Sequence, residues 1–300
     1  TGTAEKNALY AHPSPYLAMH GRDPVRWQEW NEKTVAHAKA QNKLLFVSSG
    51  YFACHWCHVM QRESFQNEQI AALLNEHFVP VKVDRELDSA LDAKLIDFVA
   101  RSQGISGWPL NVFVTPEGFP LVGMVYVPPD NFHSIVKKLH AQWQQDSAGL
   151  VQLARAASEE LSNAQVSSST RLPAGLAQKL GAQFTRQAMQ YADELQGGFG
   201  EENKFPSVPQ LVTLHDLLER TQDKALRQFL SLTLQQMASL GLRDQLDGGF
   251  YRYVVDPAWH VPHFEKMLYD NALLASLYYR AATVLQQPAY RAVADDTLDF

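Results

Sequence analysis

The sequence predicts an α/β domain with a mixed sheet, followed by an all-α segment of helical hairpins. Three observations carry this expectation. Apolar strand-like runs alternate with helix-period segments through the first half of the chain. From residue 174 onward, helix-period segments succeed one another with almost no strand signal. Between the two, residues 163–173, with their Ser167-Ser168-Ser169-Thr170 run, read as the clearest linker. The expected domains are therefore residues 1–162, which include an N-terminal extension, and residues 174–300.

Taken in order, Glu32–Gln41 reads as a short helix and residues 43–49 (Lys-Leu-Leu-Phe-Val-Ser-Ser) as a buried strand. After Gly50, the stretch Cys54-His55-Trp56-Cys57-His58-Val59-Met60 opens a second helix. Asn67 is an N-cap for Glu68–His77. Residues 78–84 form a second strand, with Pro80 marking its first half as an entry segment. Residues 89–102 are helical by apolar spacing, and Gly107-Trp108-Pro109 breaks the chain before a strand over 110–115. Pro116-Glu117-Gly118 is a turn, and residues 120–127 complete a hairpin. Residues 130–161 are one or two helices. In the second half, residues 174–195, 209–220, 223–240 and 264–285 read as helices. Gly197-Gly198-Phe199 recurs as Gly248-Gly249-Phe250, the repeat expected of stacked helical hairpins.

Composition narrows the function. The chain has 300 residues, 46% hydrophobic and 19% charged, a globular balance. Its 26 Lys+Arg are scattered and outweighed by 32 Asp+Glu, so the basic footprint of a nucleic-acid binder is missing. No apolar run is long enough to span a bilayer. The chain opens at Thr1 rather than Met without a basic-then-apolar segment, which favours an exported, processed protein over a cytoplasmic one. Its last ten residues read as helix without a stop signal, so the natural protein is expected to continue past Phe300.

Both cysteines lie in one Cys-x-x-Cys, after a strand and at a helix start. The first thiol then sits near unpaired helix N–H groups that favour thiolate, and the second, one turn on, can resolve a mixed disulfide. Cys54 is the expected nucleophile, open to solvent, and Cys57 the resolving thiol. His55 and His58 flank the pair, and a protonated imidazole there stabilises thiolate, whereas burial by Tyr51, Phe52 and Trp56 opposes it. Three other readings compete. Cys-x-x-Cys-His matches c-type haem attachment, but haem is disfavoured by the strand–helix setting. Zinc held by Cys54, Cys57 and a histidine lacks a second Cys pair or His-x₃₋₅-His partner, so no metal is expected. Two inert buried thiols are the bland alternative. Trp108-Pro109 can be a cis bond that exposes the preceding backbone to an extended substrate, or an ordinary strand-initiating proline. Tyr51, Phe52, Trp56 and Trp108 form either a substrate rim or core.

These motifs carry a resemblance. Ser14-Pro15-Tyr16-Leu17, Asp23-Pro24-Val25-Arg26-Trp27, the Cys54–Met60 motif, Val83-Asp84-Arg85-Glu86 and Gly107-Trp108-Pro109-Leu110-Asn111-Val112-Phe113 resemble the thioredoxin-domain family of spermatogenesis-associated and bacterial YyaL-like proteins. So do Gly197-Gly198-Phe199-Gly200, Lys204-Phe205-Pro206 and the ten residues from Pro262 to Asn271. The resemblance implies a thioredoxin-like domain with Pro109 in the cis-proline position. It also implies a six-hairpin α/α toroid similar to glycosidases and sugar epimerases. Family proteins run longer, so only part of that toroid is expected here. After Trp27 this chain has Gln28-Glu29-Trp30 where the family has a longer aromatic lead-in.

The expected function is thiol–disulfide exchange with a disulfide-containing protein or small thiol, without a bound cofactor. The alternative is a carbohydrate-binding or sugar-processing protein on a thioredoxin-like scaffold, with His263, Glu265 and Asp270 as its candidate pocket. A structural account of the same residues makes Lys266 and Asp270 a helix ion pair, His263 a cap and Glu265 a complement to the helix dipole.

Overall fold

The computed structural model describes residues 6–163 and 174–300, and the chain divides into two compact units, Thr1–Ser168 and Ser169–Phe300. Beyond residue 163, the expected linker lies outside the described residues.

In the first unit, helix starts follow their caps. Ser14 accepts from the Leu17 amide to open α1 (Pro15–Met19), which runs into a 3₁₀ turn at His20–Arg22. Asn31 opens α2 (Glu32–Gln41) and Asn67 opens α4 (Glu68–His77), each side chain accepting first-turn amides. Between them lie β1 (Leu45–Gly50) and α3 (His55–Met60), which continues as a π-helical turn over Gln61–Phe65. β2 (Val79–Asp84), α5 (Ser89–Gln103), β3 (Leu110–Val114) and β4 (Pro120–Met124) follow. α6 (Pro129–Asn163) is two helices joined at Asp146, whose φ of −151° and ψ of 67° are non-helical and whose carboxylate accepts from the Gly149 amide.

The sheet order is β2-β1-β3-β4, with β1 parallel to β2 and antiparallel to β3, and β3 antiparallel to β4. This is the mixed sheet of the expected thioredoxin-like domain. Every residue of β1 and β2 is buried, as a parallel pair covered on both faces requires. One face packs Leu45, Val47, Val81, Val83, Val112 and Val114 against Leu95 and Val99 of α5. On the other, Phe46 contacts Trp27, Phe65, Phe113 and Phe132. Pro80 is not an entry residue: it pairs with Phe46 inside β2. An outer strand accommodates it, and its carbonyl accepts from the Gln28 amide.

The second unit holds α7 (Leu176–Gln190), α8 (Val208–Thr221), α9 (Lys224–Ser239), α10 (Leu268–Val284) and α11 (Ala289–Asp299). Leu211, Leu214, Leu218, Leu230, Leu234, Leu274, Leu277 and Tyr278 belong to their common core. Two expected helix limits shift. α7 stops at Gln190 because Asp193 turns the chain, accepting from the Leu195 and Gln196 amides. α10 starts at Leu268, not Phe264, because β6 (Pro262–His263) pairs with β5 (Tyr253–Val254).

The repeated Gly-Gly-Phe marks two equivalent loops. Asp193 and Asp244 lead them, and Ala192 bridges Phe199 as Arg243 bridges Phe250. In each, a lysine spans the leading aspartate and the carbonyl of the first glycine. Lys204 Nζ reaches Asp193 and Gly197 O at 2.6 Å each, and Lys266 Nζ reaches Asp244 and Gly248 O at 2.8 Å each. Gly197 and Gly248 hold φ of 71° and 78°, a region glycine adopts freely.

Candidate active site

β1 delivers the chain to Gly50, and the Cys54 amide then donates to Tyr51 O at 3.1 Å, closing the turn that starts α3. Cys54 is the N-cap: its Sγ accepts from the Cys57 amide at 3.2 Å. One turn separates the two cysteines, their Cα atoms are 5.3 Å apart, and they are joined as a disulfide. The expectation of an open Cys54 sulfur is not met in this state. The residue is 2% exposed and Cys57 is fully buried, because capping and the bond to Cys57 both turn Cys54 Sγ inward. The exposed groups are its neighbours Phe52, His55 and Trp56.

The aromatic group divides between rim and core. Phe52 and Trp56 face outward, Tyr51 is buried and Trp108 is half-buried. His55 packs edge-on against Trp56, and Trp56 lies 4.9 Å from the ring of Tyr126. His58 is tied to the loop through Nε2 and Phe52 O at 2.7 Å.

Trp108-Pro109 is a cis bond. Because Leu110 pairs with Ser49, the antiparallel register carries Pro109 to the level of Gly50 at the end of β1. Trp108 is clamped from several sides. Its Nε1 donates to Asp92 Oδ1 at 3.0 Å, the atom that also accepts from Ser49 Oγ at 2.6 Å. The Arg85 guanidinium lies over the Trp108 ring at 4.0 Å and over Tyr51 at 5.5 Å. Sequence reasoning missed Asp92 and the role of Arg85. A buried carboxylate at an inward position of α5 is the signal that would have found the first.

Beneath the disulfide lies a buried polar layer supplied largely by the N-terminal extension. Asp23 accepts from His20 Nδ1 at 2.7 Å, Trp27 Nε1 at 3.0 Å and Gln61 Nε2 at 2.9 Å. Gln61 follows directly on α3, so this network ties the extension to the cysteine helix. Burial, with a smaller contribution from the Lys82 charge, lowers the His20 pKa to about 4 against the pull of Asp23. The ring is therefore neutral near pH 7, and Nδ1 carries the proton given to Asp23. Lys82 is buried on β2, donates to Ser48 Oγ at 2.9 Å, and faces the rings of Phe65, Trp27 and Tyr16 at 4.6, 5.0 and 5.4 Å. Desolvation lowers its pKa to about 7, opposed by Asp23.

The candidate pocket of the helical unit is organised by ion pairs. Glu265 is buried, 3.1 Å from Arg252 and 3.4 Å from His263 Nδ1. Asp270 lies in the first turn of α10, whereas Lys266 precedes that helix and pairs with Asp244. The expected Lys266–Asp270 helix pair is therefore replaced, because β6 delays the helix. Lys204, within the Lys204-Phe205-Pro206 motif, is a buried ion-pair partner. Among the described residues, His215, Asp216 and Glu219 have metal-ligand spacing, but Arg280 pairs with both carboxylates. Among the described residues, no helix is long and apolar enough to cross a membrane.

Residues 6–162 match the family model Thioredox_DsbH, described as a protein of unknown function, DUF255. Over 305 residues the chain is 39% identical to spermatogenesis-associated protein 20 of Rattus norvegicus and to that of Homo sapiens. Each alignment covers 98% of this chain but 39% of the relative, so the chain spans about two fifths of their length. Among solved structures, a DsbH oxidoreductase aligns at 22% identity over 38% of this chain and 83% of its own, with a TM-score of 0.31. The thioredoxin-like sheet, the cysteine pair at its helix start and the match over residues 6–162 agree, and the chain belongs to the Thioredox_DsbH (DUF255) family.

Proposed function

We propose that Cys54 and Cys57 form a redox-active dithiol and that the chain is a thiol–disulfide oxidoreductase acting on protein or small-molecule disulfides. The observation that carries this reading is the bonded pair at the N-cap of α3, beside Gly50 at the end of β1. In the reduced state, the Cys57 amide that now meets Cys54 Sγ at 3.2 Å supports a Cys54 thiolate. That thiolate attacks a disulfide R–S–S–R′, forming Cys54–S–S–R and releasing R′–S⁻. Cys57 then attacks Cys54 Sγ, the internal bond closes, and R–S⁻ leaves. Two electrons pass from the dithiol to the substrate, so the exchange needs no further cofactor.

The neighbouring aromatic and charged residues have parts in this reading. The segment before Pro109 is the edge on which an extended substrate docks, with exposed Trp56 and Phe52 beside it. Trp108, held by Asp92 and Arg85, fixes that edge. The test is reduction of a small model disulfide by the reduced chain. Cys54→Ser abolishes the reaction, and Cys57→Ser accumulates a mixed disulfide on Cys54. A Cys54→Ser chain that still reduces the substrate at the unmodified rate overturns the reading.

A further inference from the structure

The disulfide has a neighbour that this exchange leaves unused. Tyr16 is fully buried, and its hydroxyl has no hydrogen-bond partner. A buried hydroxyl without a partner is destabilising, so its presence in a packed core needs a reason. Its position supplies one. A Cβ built on Gly50 would lie 2.2 Å from Tyr16 Oη and 2.6 Å from Cys57 Sγ, closer than a real Cβ approaches either. Gly50 is thus the narrow gap across which the hydroxyl and the resolving sulfur face each other, and the missing side chain keeps it open.

We infer that Tyr16 is a positioning residue for Cys57: its hydroxyl donates a hydrogen bond to the Cys57 thiolate that forms while a mixed disulfide is being resolved. In the disulfide, Cys57 Sγ is neutral and a weak acceptor, and the Tyr16 hydroxyl makes no hydrogen bond to it. Once Cys54 is bonded to R, Cys57 loses its proton to solvent and its thiolate becomes a strong acceptor. The thiolate attacks Cys54 Sγ, the Cys54–S–S–R bond breaks as Cys54–Cys57 forms, and R–S⁻ leaves to take a proton from solvent. Tyr16 keeps its own proton throughout.

The surroundings suit a donor. Burial first, then the charges of Asp84, Asp23 and Asp92, hold the Tyr16 pKa well above that of an ordinary tyrosine, so the hydroxyl stays protonated. Lys82 of β2 faces the same ring, and the neutral His20 ring packs edge-on against it at 5.2 Å. Tyr16 itself is fixed through α1, whose cap Ser14 donates to Asp84 at 2.6 Å. The N-terminal extension thereby places a side chain against the chemistry of the sheet domain.

The inference rests on the exchange proposed above, and the test separates the two. Cys57 ionisation is titrated by thiolate absorbance in Cys54→Ser, where no exchange occurs, with and without Tyr16→Phe. Losing one charged hydrogen bond raises the Cys57 midpoint by about one unit, a tenfold change. In a chain with both cysteines, Tyr16→Phe prolongs the Cys54–glutathione mixed disulfide about threefold, the tenfold loss of thiolate being partly offset by its greater nucleophilicity, while the initial attack by Cys54 keeps its rate. Should Tyr16→Phe fail to fold, 3-fluorotyrosine at position 16 keeps ring and hydroxyl, strengthens the donor and lowers the midpoint. An unmoved Cys57 midpoint, or an unchanged mixed-disulfide lifetime in a chain that does exchange, overturns this inference alone. A chain that exchanges with neither glutathione nor a protein disulfide overturns the proposed function instead.

Discussion

Lys82 in the first unit and Lys204 in the second are both buried beside aromatic rings, yet they are held in opposite ways. Lys204 has a carboxylate at 2.6 Å, a carbonyl at 2.6 Å and the Trp259 ring at 5.4 Å. Among the described residues, Lys82 has no carboxylate within ion-pair distance and one hydrogen bond, to Ser48. The paired cation works as a rivet: it closes a Gly-Gly loop and is matched by an anion whose pKa it lowers. Burial pushes Asp193 up, but Lys204 and two backbone amides more than reverse it. The unpaired cation is instead brought to the edge of losing its charge, and it lies against the tyrosine that faces Cys57. Burial of a lysine therefore means a fixed ion pair where its charge is answered and a loosely held proton where it is not.

The comparison breaks most visibly at Lys204. Lys204→Met leaves the Asp193 carboxylate without its cation and Gly197 O without its donor. Lys204 is buried and Asp193 half-buried, and losing the two hydrogen bonds of the ammonium costs about 3 kcal/mol. Hydrogen exchange should therefore quicken across α8 and α9 of the second unit while protection of the sheet strands is kept. Unchanged exchange in α9, whose Thr233 accepts from the Gly198 amide, would remove the rivet from this account.

Much of this was legible before any coordinates, and what was not shares a physical cause. α2 and α4 have the limits expected because Asn31 and Asn67 cap them locally. The strand–helix alternation and the cysteine pair at a helix start are likewise short-range signals. The Gly-Gly-Phe repeat was visible, but its rivets were not, because Lys204 and Lys266 stand at unequal distances from their loops. The start of α10 was misplaced since a two-residue pairing with residues outside the helix overrides the local helix period. The layer beneath the disulfide was hidden for the same reason. Tyr16, Asp23, Gln61 and Lys82 come from three elements and a loop and meet only through the β1–β2 register and the packing of the extension.

A second difference is expected along the pH axis. His20 titrates near 4 in the folded unit and near 6.5 in the unfolded chain. Between those values the unfolded chain binds the extra proton, so stability rises with pH across this window. The contribution is complete above about 6.5 and is lost as pH falls through about 4, amounting to about 3 kcal/mol. NMR titration of the His20 ring should give a midpoint near 4, with loss of native signals from Trp27 and Gln61 as it protonates. A midpoint near 6.5 would mean that the Asp23 network is open to water.

The most diagnostic effect, a gain rather than a loss, belongs to Lys82→Met. Methionine fills a similar volume among Phe65, Trp27 and Tyr16, loses only the hydrogen bond to Ser48, and strands no anion. Replacing an isolated buried cation by an apolar chain is stabilising, by about 1–4 kcal/mol, at pH 7. The sign has a pH signature. With a folded pKa of about 7 against 10.5 unfolded, the unfolded chain holds more protons between those values, so Lys82 makes stability climb as pH rises through that window. In Lys82→Met that climb disappears, which denaturant titrations at pH 7 and 9 would read directly. A loss as large as that of Lys204→Met would show instead that an anion answers Lys82 after all, and the two buried lysines would then belong to one class.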